Sequence, residues 1–255
     1  TLSDTDEDLF AGWLGARSGP ANGLAPLPGF GAAVGWNSAA QGITGAWSTA
    51  NTREALTAAF KRKEVYATSG PRMQLRMFGG FEFEAEDADA RDIAAVGYGG
   101  GVPMGGDLAQ APNGTPVSLL IHAVKDPVGA NLDRVQVIKG WLDEDGETHE
   151  RVYDVAWAGQ RTAANGKVPA IGNTVDVARA TYENTIGSAE LSTVWVDPDF
   201  DPDERAFYYV RVLEIPTPRY STYDAVALGL DPELATDRPA TIQERAFSSP
   251  IWYTP

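Results

Sequence analysis

The sequence predicts an α+β protein dominated by an antiparallel β-sandwich from about residue 72 onward, preceded by a segment with one clear helix. Two observations lead to this prediction. Apolar residues recur at helical spacing, with signals for both helix ends, only after residue 51. After Pro71 the spacing changes to alternation, and turn signals separate the alternating segments.

The helix is predicted at residues 52–63. Asn51 provides a cap and Glu54 completes a capping box. The cations of residues 61–63 fall in the last turn, where they complement the negative end of the helix dipole. Upstream, residues 1–45 predict a loop-dominated segment with a short helix near Asp8–Leu14.

Five segments after Pro71 predict strands, and Asp145-Gly146 marks a hairpin between two of them. The segment "GYGGGVPMGGD", residues 97–107, predicts a mobile loop or spacer because its six glycines disfavour a regular element. The five predicted strands are 73–78, 116–124, 135–142, 148–157 and 207–213.

The composition limits the function classes. A formal charge of −15 argues against binding nucleic acid or an anionic membrane surface. Cysteine is absent, which excludes disulfides and thiolate chemistry, and no apolar run approaches the length of a spanning helix. Because the chain begins with Thr1, we expect a piece of a longer protein. The acidic balance favours a periplasmic or extracellular location over a cytoplasmic one.

The stretch "YATSGPR" is the first candidate site. Thr68, Ser69 and Arg72 are predicted substrate-binding residues, because two hydroxyls, the turn amides near Gly70 and a guanidinium together suit an anion. The alternative is a helix-to-strand connector whose hydroxyls satisfy backbone groups.

Ser69 and His122 are the predicted catalytic residues. A serine nucleophile needs a base, and His122 and His149 are the two histidines of the chain. There is no G-x-S-x-G elbow, His122 lies in an apolar strand as a buried residue would, and His149 follows a hairpin turn. No metal site is predicted on histidine, because two residues cannot fill three ligand positions.

The segment "VDPDFDPDER" places aspartates at 197, 199, 201 and 203. Carboxylates this close suit Ca²⁺, which takes many oxygen ligands. The segment lacks the glycine and terminal glutamate of an EF-hand loop, so a turn-rich surface loop is the alternative.

Long segments resemble the C-terminal part of a large bacterial family, the domain-of-unknown-function family numbered thirty-six hundred and four. They include "NTREALTAAFKRKEVYATSGPR", "KDPVGANLDRVQVIKGW" and "DPDFDPDERAFYYVRVLEIPTPRYSTYDA". The family is similar to PHP-type (polymerase and histidinol phosphatase) metal-dependent hydrolases. The resemblance implies that residues 1–71 are the end of an incomplete α/β barrel and that residues 72–255 form the sandwich.

The resemblance also implies a hydrolase, an esterase or phosphoesterase, acting on a small-molecule ester or phosphoester. The family's divalent metal is bound by His-x-His and Asp-x-His motifs upstream of the matched region. Asp6 stands in "LSDTDED" where such a motif needs histidine. The metal core is therefore expected outside this chain, which would then self-associate or pair with the missing N-terminal part.

The alternative function is a non-catalytic sandwich that binds a carbohydrate or assembles subunits. Aromatic side chains stack on sugar rings or fill interfaces. The candidates are Trp141, Tyr208, Tyr220 and Trp252.

Overall fold

The computed structural model describes residues 42–164, 166–233 and 239–255, so the helix expected near Asp8–Leu14 lies outside them. The chain divides into two compact units. The larger comprises Ile43–Gly172, Ile186–Ile215 and Glu244–Pro255, and the smaller comprises Thr1–Gly42, Asn173–Thr185 and Pro216–Gln243.

An eight-stranded sheet forms one layer of the larger unit. Its strands are β1 (Ile43–Ala46), β2 (Val65–Thr68), β5 (Asp107–Ala109), β7 (Leu132–Leu142), β8 (Thr148–Trp157), β10 (Arg205–Glu214), β13 (Arg245–Ser248) and β14 (Ile251–Thr254). Strand β10 is central. It pairs with β7 along one edge, and β13 and β14 share its other edge. The strand pairs are antiparallel except for β14 with β5.

The second layer is a four-stranded antiparallel sheet in the order β4-β3-β6-β9. The main hydrophobic core draws on both sheets, for example Leu75 and Ile121 from one and Val137 and Val210 from the other. The predicted β-sandwich, and with it the α+β class, is therefore confirmed. The strands are β3 (Gln74–Gly80), β4 (Gly101–Pro103), β6 (Ser118–Val124) and β9 (Glu190–Val196).

Two α-helices accompany the sandwich: α1 (Arg53–Lys61) and α2 (Ile93–Gly100). The cap of α1 is Thr52, whose Oγ1 accepts from the Ala55 amide at 3.2 Å, so the expected Asn51 cap was one residue too early. Short 3-10 helices lie at 85–89 and 112–114. The described helices include none long and apolar enough to cross a membrane.

The smaller unit contains a helix, a 3-10 turn and a two-stranded antiparallel ladder in its described part. The helix is α3 (Tyr220–Ala227), and the 3-10 turn is at 177–179. The ladder pairs β11 (Thr217–Pro218) with β12 (Thr241–Ile242).

The expected domain boundary after residue 71 does not coincide with these units. Strand β13, from the end of the chain, pairs with β2 and places residues 43–71 within the sandwich. Strands β1 and β2 are antiparallel neighbours, whereas the strands of an α/β barrel run parallel. In the described part of 1–71, β1 and β2 thus belong to the eight-stranded sheet.

The glycine-rich stretch 97–107 is also more regular than expected. It forms the end of α2, all of β4 and the start of β5. Gly97 permits a close approach, since a Cβ there would lie 2.2 Å from Cδ2 of Phe78. Tight packing, and not flexibility, accounts for that glycine.

Candidate functional site

The predicted nucleophile Ser69 lies just after β2 and is hydrogen-bonded within the sandwich. Its hydroxyl donates to the Glu244 carboxylate and accepts from the Arg245 amide at 2.8 Å. Its own amide donates to the Arg245 carbonyl at 2.9 Å. These bonds tie the turn to the segment that leads into β13, which is what the connector alternative requires.

The other polar groups of the turn are also hydrogen-bonded within the chain. Oγ1 of Thr68 accepts from the Gly70 amide at 3.3 Å, and the Arg72 amide donates to Asp126 at 2.7 Å. Only the Arg72 side chain is exposed. The substrate-binding role of Thr68, Ser69 and Arg72 stays a prediction, because no ligand tests it.

The electrostatic surroundings of this turn oppose an anion. Burial, followed by the nearby carboxylates of Glu244 and Asp126, raises the pKa of Glu214 to about 8. Three carboxyl groups thus lie in this region, and the positive charge of Lys125 acts in the opposite direction on the pKa of Glu214. The carboxylates of Glu244 and Asp126, which are bonded to the Ser69 hydroxyl and the Arg72 amide, therefore oppose the binding of an anion at this turn.

The predicted base His122 lies on β6 in a different environment. It stands opposite Arg76 of β3, and its Nε2 lies 2.7 Å from Oε1 of Glu190. Ser69 and His122 have different hydrogen-bond partners, so the described structure does not assemble a serine–histidine pair. The catalytic role of both residues stays a prediction.

His149 lies at the start of β8, and two contacts hold it. Its Nε2 is 2.6 Å from Oδ2 of Asp143, and its ring stacks on Trp141 with centroids 5.1 Å apart. The His149 hydrogen bond, aided by backbone amides, lowers the pKa of the Asp143 carboxyl.

The first two aspartates of the "VDPDFDPDER" segment are bound by cationic side chains of the chain itself. The Lys139 ammonium lies 2.7 Å from buried Asp197, and Arg151 lies 2.8 Å from Asp199. Within residues 42–164, 166–233 and 239–255, no group of three histidine, aspartate or glutamate side chains is placed to hold a metal ion. The calcium alternative finds no support in this geometry.

A hollow of about 730 Å³ lies on the outer face of the eight-stranded sheet, where β8, β7, β10 and β14 are neighbours. Strand register creates it. One cross-strand row runs Glu150, Gly140, Phe207 and Trp252, and the adjacent row runs Thr148, Leu142 and Arg205. We call this surface, with the further lining residues Trp141, His149, Ala206, Tyr253 and Thr254, the aromatic hollow.

Two rings dominate the aromatic hollow. Phe207 lies over Gly140, since a Cβ at position 140 would lie 2.4 Å from Cζ of Phe207. The Trp252 ring stands 5.1 Å from Phe207, tilted by 48°, and Trp252 is 45% exposed. The glycine lets one ring lie flat on the sheet, and the neighbouring strand leaves the other ring open to solvent.

Of the four aromatic candidates named from the sequence, Trp252 presents its ring to the aromatic hollow. Trp141 is also in the lining, but it is paired with Ala206 and its side chain packs against the core. Tyr208 does not line the aromatic hollow, because β10 turns it inward: it is 0% exposed and donates to Asp197 at 2.7 Å. Burial raises the pKa of this phenol. Tyr220 belongs to the smaller unit. The sequence analysis did not identify Gly140 or Phe207 as site residues. Phe207 could have been found, because it lies on the same face of β10 as the charged Arg211, which is expected to point outward.

The family model described as "Protein of unknown function (DUF3604)" matches residues 1–255. No curated protein and no solved structure matches the chain.

Proposed function

We propose that this chain, which belongs to that family, binds a ring-shaped, hydroxyl-rich ligand, such as a sugar unit of a glycan, at the aromatic hollow. The observation that carries the proposal is the pair of Phe207 and half-exposed Trp252 in one cross-strand row of a concave surface. Binding sites of small ligands are concave and largely apolar, with a few polar groups that fix orientation.

The chemistry of the lining suits a sugar ring. A pyranose has an apolar C–H face, which packs on an indole, and a rim of hydroxyl groups. Around the two rings lie Glu150, Arg205 and Thr148, all exposed. A carboxylate accepts hydrogen bonds from sugar hydroxyls, a guanidinium donates to them, and a threonine hydroxyl does both.

The test is calorimetric titration of the chain with soluble hexasaccharides of glucose, xylose and N-acetylglucosamine. We expect at least one of them to bind, and Trp252→Ala to weaken that binding about 30-fold, since a central tryptophan contributes about 2 kcal/mol or more. The matched control is Phe60→Ala, which removes an exposed ring of α1 outside the aromatic hollow (54% exposed). It should leave the affinity unchanged.

Two outcomes contradict the proposal. Either no hexasaccharide binds, or Trp252→Ala binds as well as the parent chain. Light scattering of the parent chain and of Trp252→Ala distinguishes sugar binding from subunit assembly. If this surface is a dimer interface, the parent chain is dimeric and binds no sugar, and Trp252→Ala is monomeric.

The hydrolase prediction, with its PHP-like metal centre, concerns the family and stays a prediction. Assays of p-nitrophenyl acetate and p-nitrophenyl phosphate, with and without added Mn²⁺, address it directly. Unchanged rates in Ser69→Ala and His122→Ala would remove both residues from consideration. The expected periplasmic or extracellular location is compatible with a glycan ligand and also stays a prediction.

A further inference from the structure

A second cavity of about 230 Å³ lies elsewhere in the larger unit and shares no lining residue with the aromatic hollow. Two arginines, Arg76 and Arg91, line it together with His122, Gln74 and Trp47. We call it the arginine cavity. The other residues that line it are Leu75, Asp92, Ile93 and Ala94.

Arg76 is held in place by aromatic rings. Its guanidinium lies 3.6 Å from the centre of the Trp47 ring, and the Phe78 and Tyr98 rings are each 5.9 Å away. Trp47 is itself fixed, because its Nε1 donates to the Leu75 carbonyl at 2.8 Å. A guanidinium stacked on a ring keeps its N–H edge available for a planar acceptor.

Neither Arg76 nor Arg91 forms a salt bridge with a carboxylate in the part of the chain that the structure describes, and Nη1 of Arg76 is buried there without an acceptor. This is unusual in a chain with 35 acidic and 20 basic residues. A buried charged donor without a partner calls for a missing ion or water.

The acidic groups near the cavity are already engaged by other groups. Oδ1 of Asp92 accepts from the Ala95 amide at 3.0 Å, capping α2. Oε1 of Glu190 lies 2.7 Å from Nε2 of His122. Neither of these two carboxylates forms an ion pair with Arg76 or Arg91, so the N–H groups of both guanidinium groups are available to the oxygens of a ligand.

We propose that the arginine cavity binds the oxyanion group, phosphate or carboxylate, of a small ligand, independently of the ligand proposed for the aromatic hollow. Two arginines present the fork of N–H donors that matches such oxygens. A volume of about 230 Å³ admits a compact anion.

The test is titration of the whole chain with inorganic phosphate, sulfate and acetate. Binding is measured by the changes in amide NMR chemical shifts and by the change in unfolding temperature. Sodium chloride at equal ionic strength is the blank, because a specific site saturates whereas screening does not. We expect saturation near about 1 mM for at least one oxyanion. The order of the three anions distinguishes a phosphate-type ligand from a carboxylate.

Arg91→Gln removes the exposed arginine of the cavity and should weaken oxyanion binding at least tenfold, without unfolding the chain. Arg53→Gln, an exposed arginine of α1 outside the cavity, is the matched control and should bind as the parent does. Arg76→Lys keeps the charge but loses the planar fork, and should weaken binding as well.

The proposal is overturned if chloride produces the same shifts as the oxyanions, or if none of the three anions saturates. It is equally overturned if Arg53→Gln weakens binding as much as Arg91→Gln. None of these results depends on sugar binding, so this inference and the proposed function fail separately.

Discussion

The Ser69 turn and the aromatic hollow belong to the same compact unit but use their functional groups in opposite ways. In the turn, the hydroxyls and amides that look reactive are bonded to Glu244, Arg245 and Asp126. In the aromatic hollow, strand register exposes the Trp252 ring beside Phe207. A polar group already bonded within the fold stabilises it, whereas an exposed ring in a concave surface can gain free energy from a ligand.

The comparison teaches that residue type alone does not identify a site. A Thr-Ser-Gly-Pro-Arg sequence supplies anion-binding groups only if the fold leaves them free and the field is positive. Here the carboxylates of Glu244 and Asp126 contact the turn directly, and both oppose an anion.

The largest effect concerns the acidic surroundings of the turn. Glu214 has a pKa of about 8 in the fold against an ordinary 4.5, mainly because it is buried. The folded state thus holds a proton that the unfolded state releases, so this group lowers the free energy of unfolding as pH rises from 4.5 to 8. The loss should total about 5 kcal/mol, at about 1.4 kcal/mol per pKa unit.

Urea unfolding at several pH values measures this effect. Glu214→Gln cannot titrate, so its advantage over the parent chain should grow with pH across that window. Glu86→Gln, at an exposed site, should track the parent chain. A constant difference between Glu214→Gln and the parent would show that the fold does not hold Glu214 as a buried, protonated acid.

The next effect tests the shape of the aromatic hollow. Gly140→Ala places a methyl group where the Phe207 ring lies, so the ring must move. We expect a loss of about 1–3 kcal/mol in the free energy of unfolding, the usual cost of overpacking, together with weaker sugar binding. Gly99→Ala is the control, because nothing lies within 4 Å of an added Cβ there. Undiminished sugar binding by Gly140→Ala would show that the position of Phe207 is irrelevant to the ligand.

Much of the fold could be predicted from local patterns. Strand β8 runs from Thr148 to Trp157, the range expected from the alternation after the Asp145-Gly146 hairpin. Strand β9 was missed, and residues 43–71 were assigned to a different domain. Their position depends on β13, which is about 180 residues further along the chain than β2. Local spacing carries no signal for such long-range pairing.

The site was less accessible from the sequence. The parity of β10 could have been deduced from Arg211, whose outward position places Tyr209 and Phe207 on the same face and Tyr208 on the other. The cross-strand row that joins Phe207 to Trp252 could not have been deduced, because it depends on the register between β10 and β14. Nor does the sequence show that the Glu244 carboxylate accepts a hydrogen bond from the Ser69 hydroxyl.

A smaller effect is expected from Ser69→Ala. The variant leaves the Arg245 amide and the Glu244 carboxylate without their serine partner, which should cost about 1–2 kcal/mol of stability. Ser48→Ala, whose hydroxyl makes one exposed bond to the Ala50 carbonyl, should cost less than about 0.5 kcal/mol. Sugar affinity should not change in either variant, as titration of the folded proteins would show. A loss of affinity in Ser69→Ala alone would connect the turn to the ligand and erase the contrast.

The smallest effect lies at the edge of the aromatic hollow. The pKa of Asp143 is lowered mainly by its hydrogen bond from His149. In His149→Ala the pKa should rise toward the ordinary range, as an NMR titration of the carboxyl group would show. A carboxyl whose pKa is lowered by folding stabilises the folded state at pH values above its unfolded-state pKa. This stabilisation is lost as the pH falls through the pKa of the folded state. Because both groups are exposed, the change in stability should be small.

His149 is also among the residues of the aromatic hollow, but it is paired with Trp141 and therefore has the core-facing parity, opposite to that of Glu150. The same variant thus tests whether the ligand contacts more than the outer face. Contacts at the edge of an interface contribute little next to a central aromatic, and we expect a sugar affinity within about threefold of the parent. A loss as large as that of Trp252→Ala would move the centre of the site from β14 to the stacked pair of Trp141 and His149. The contrast with the Ser69 turn would then remain, with a different ring at its centre.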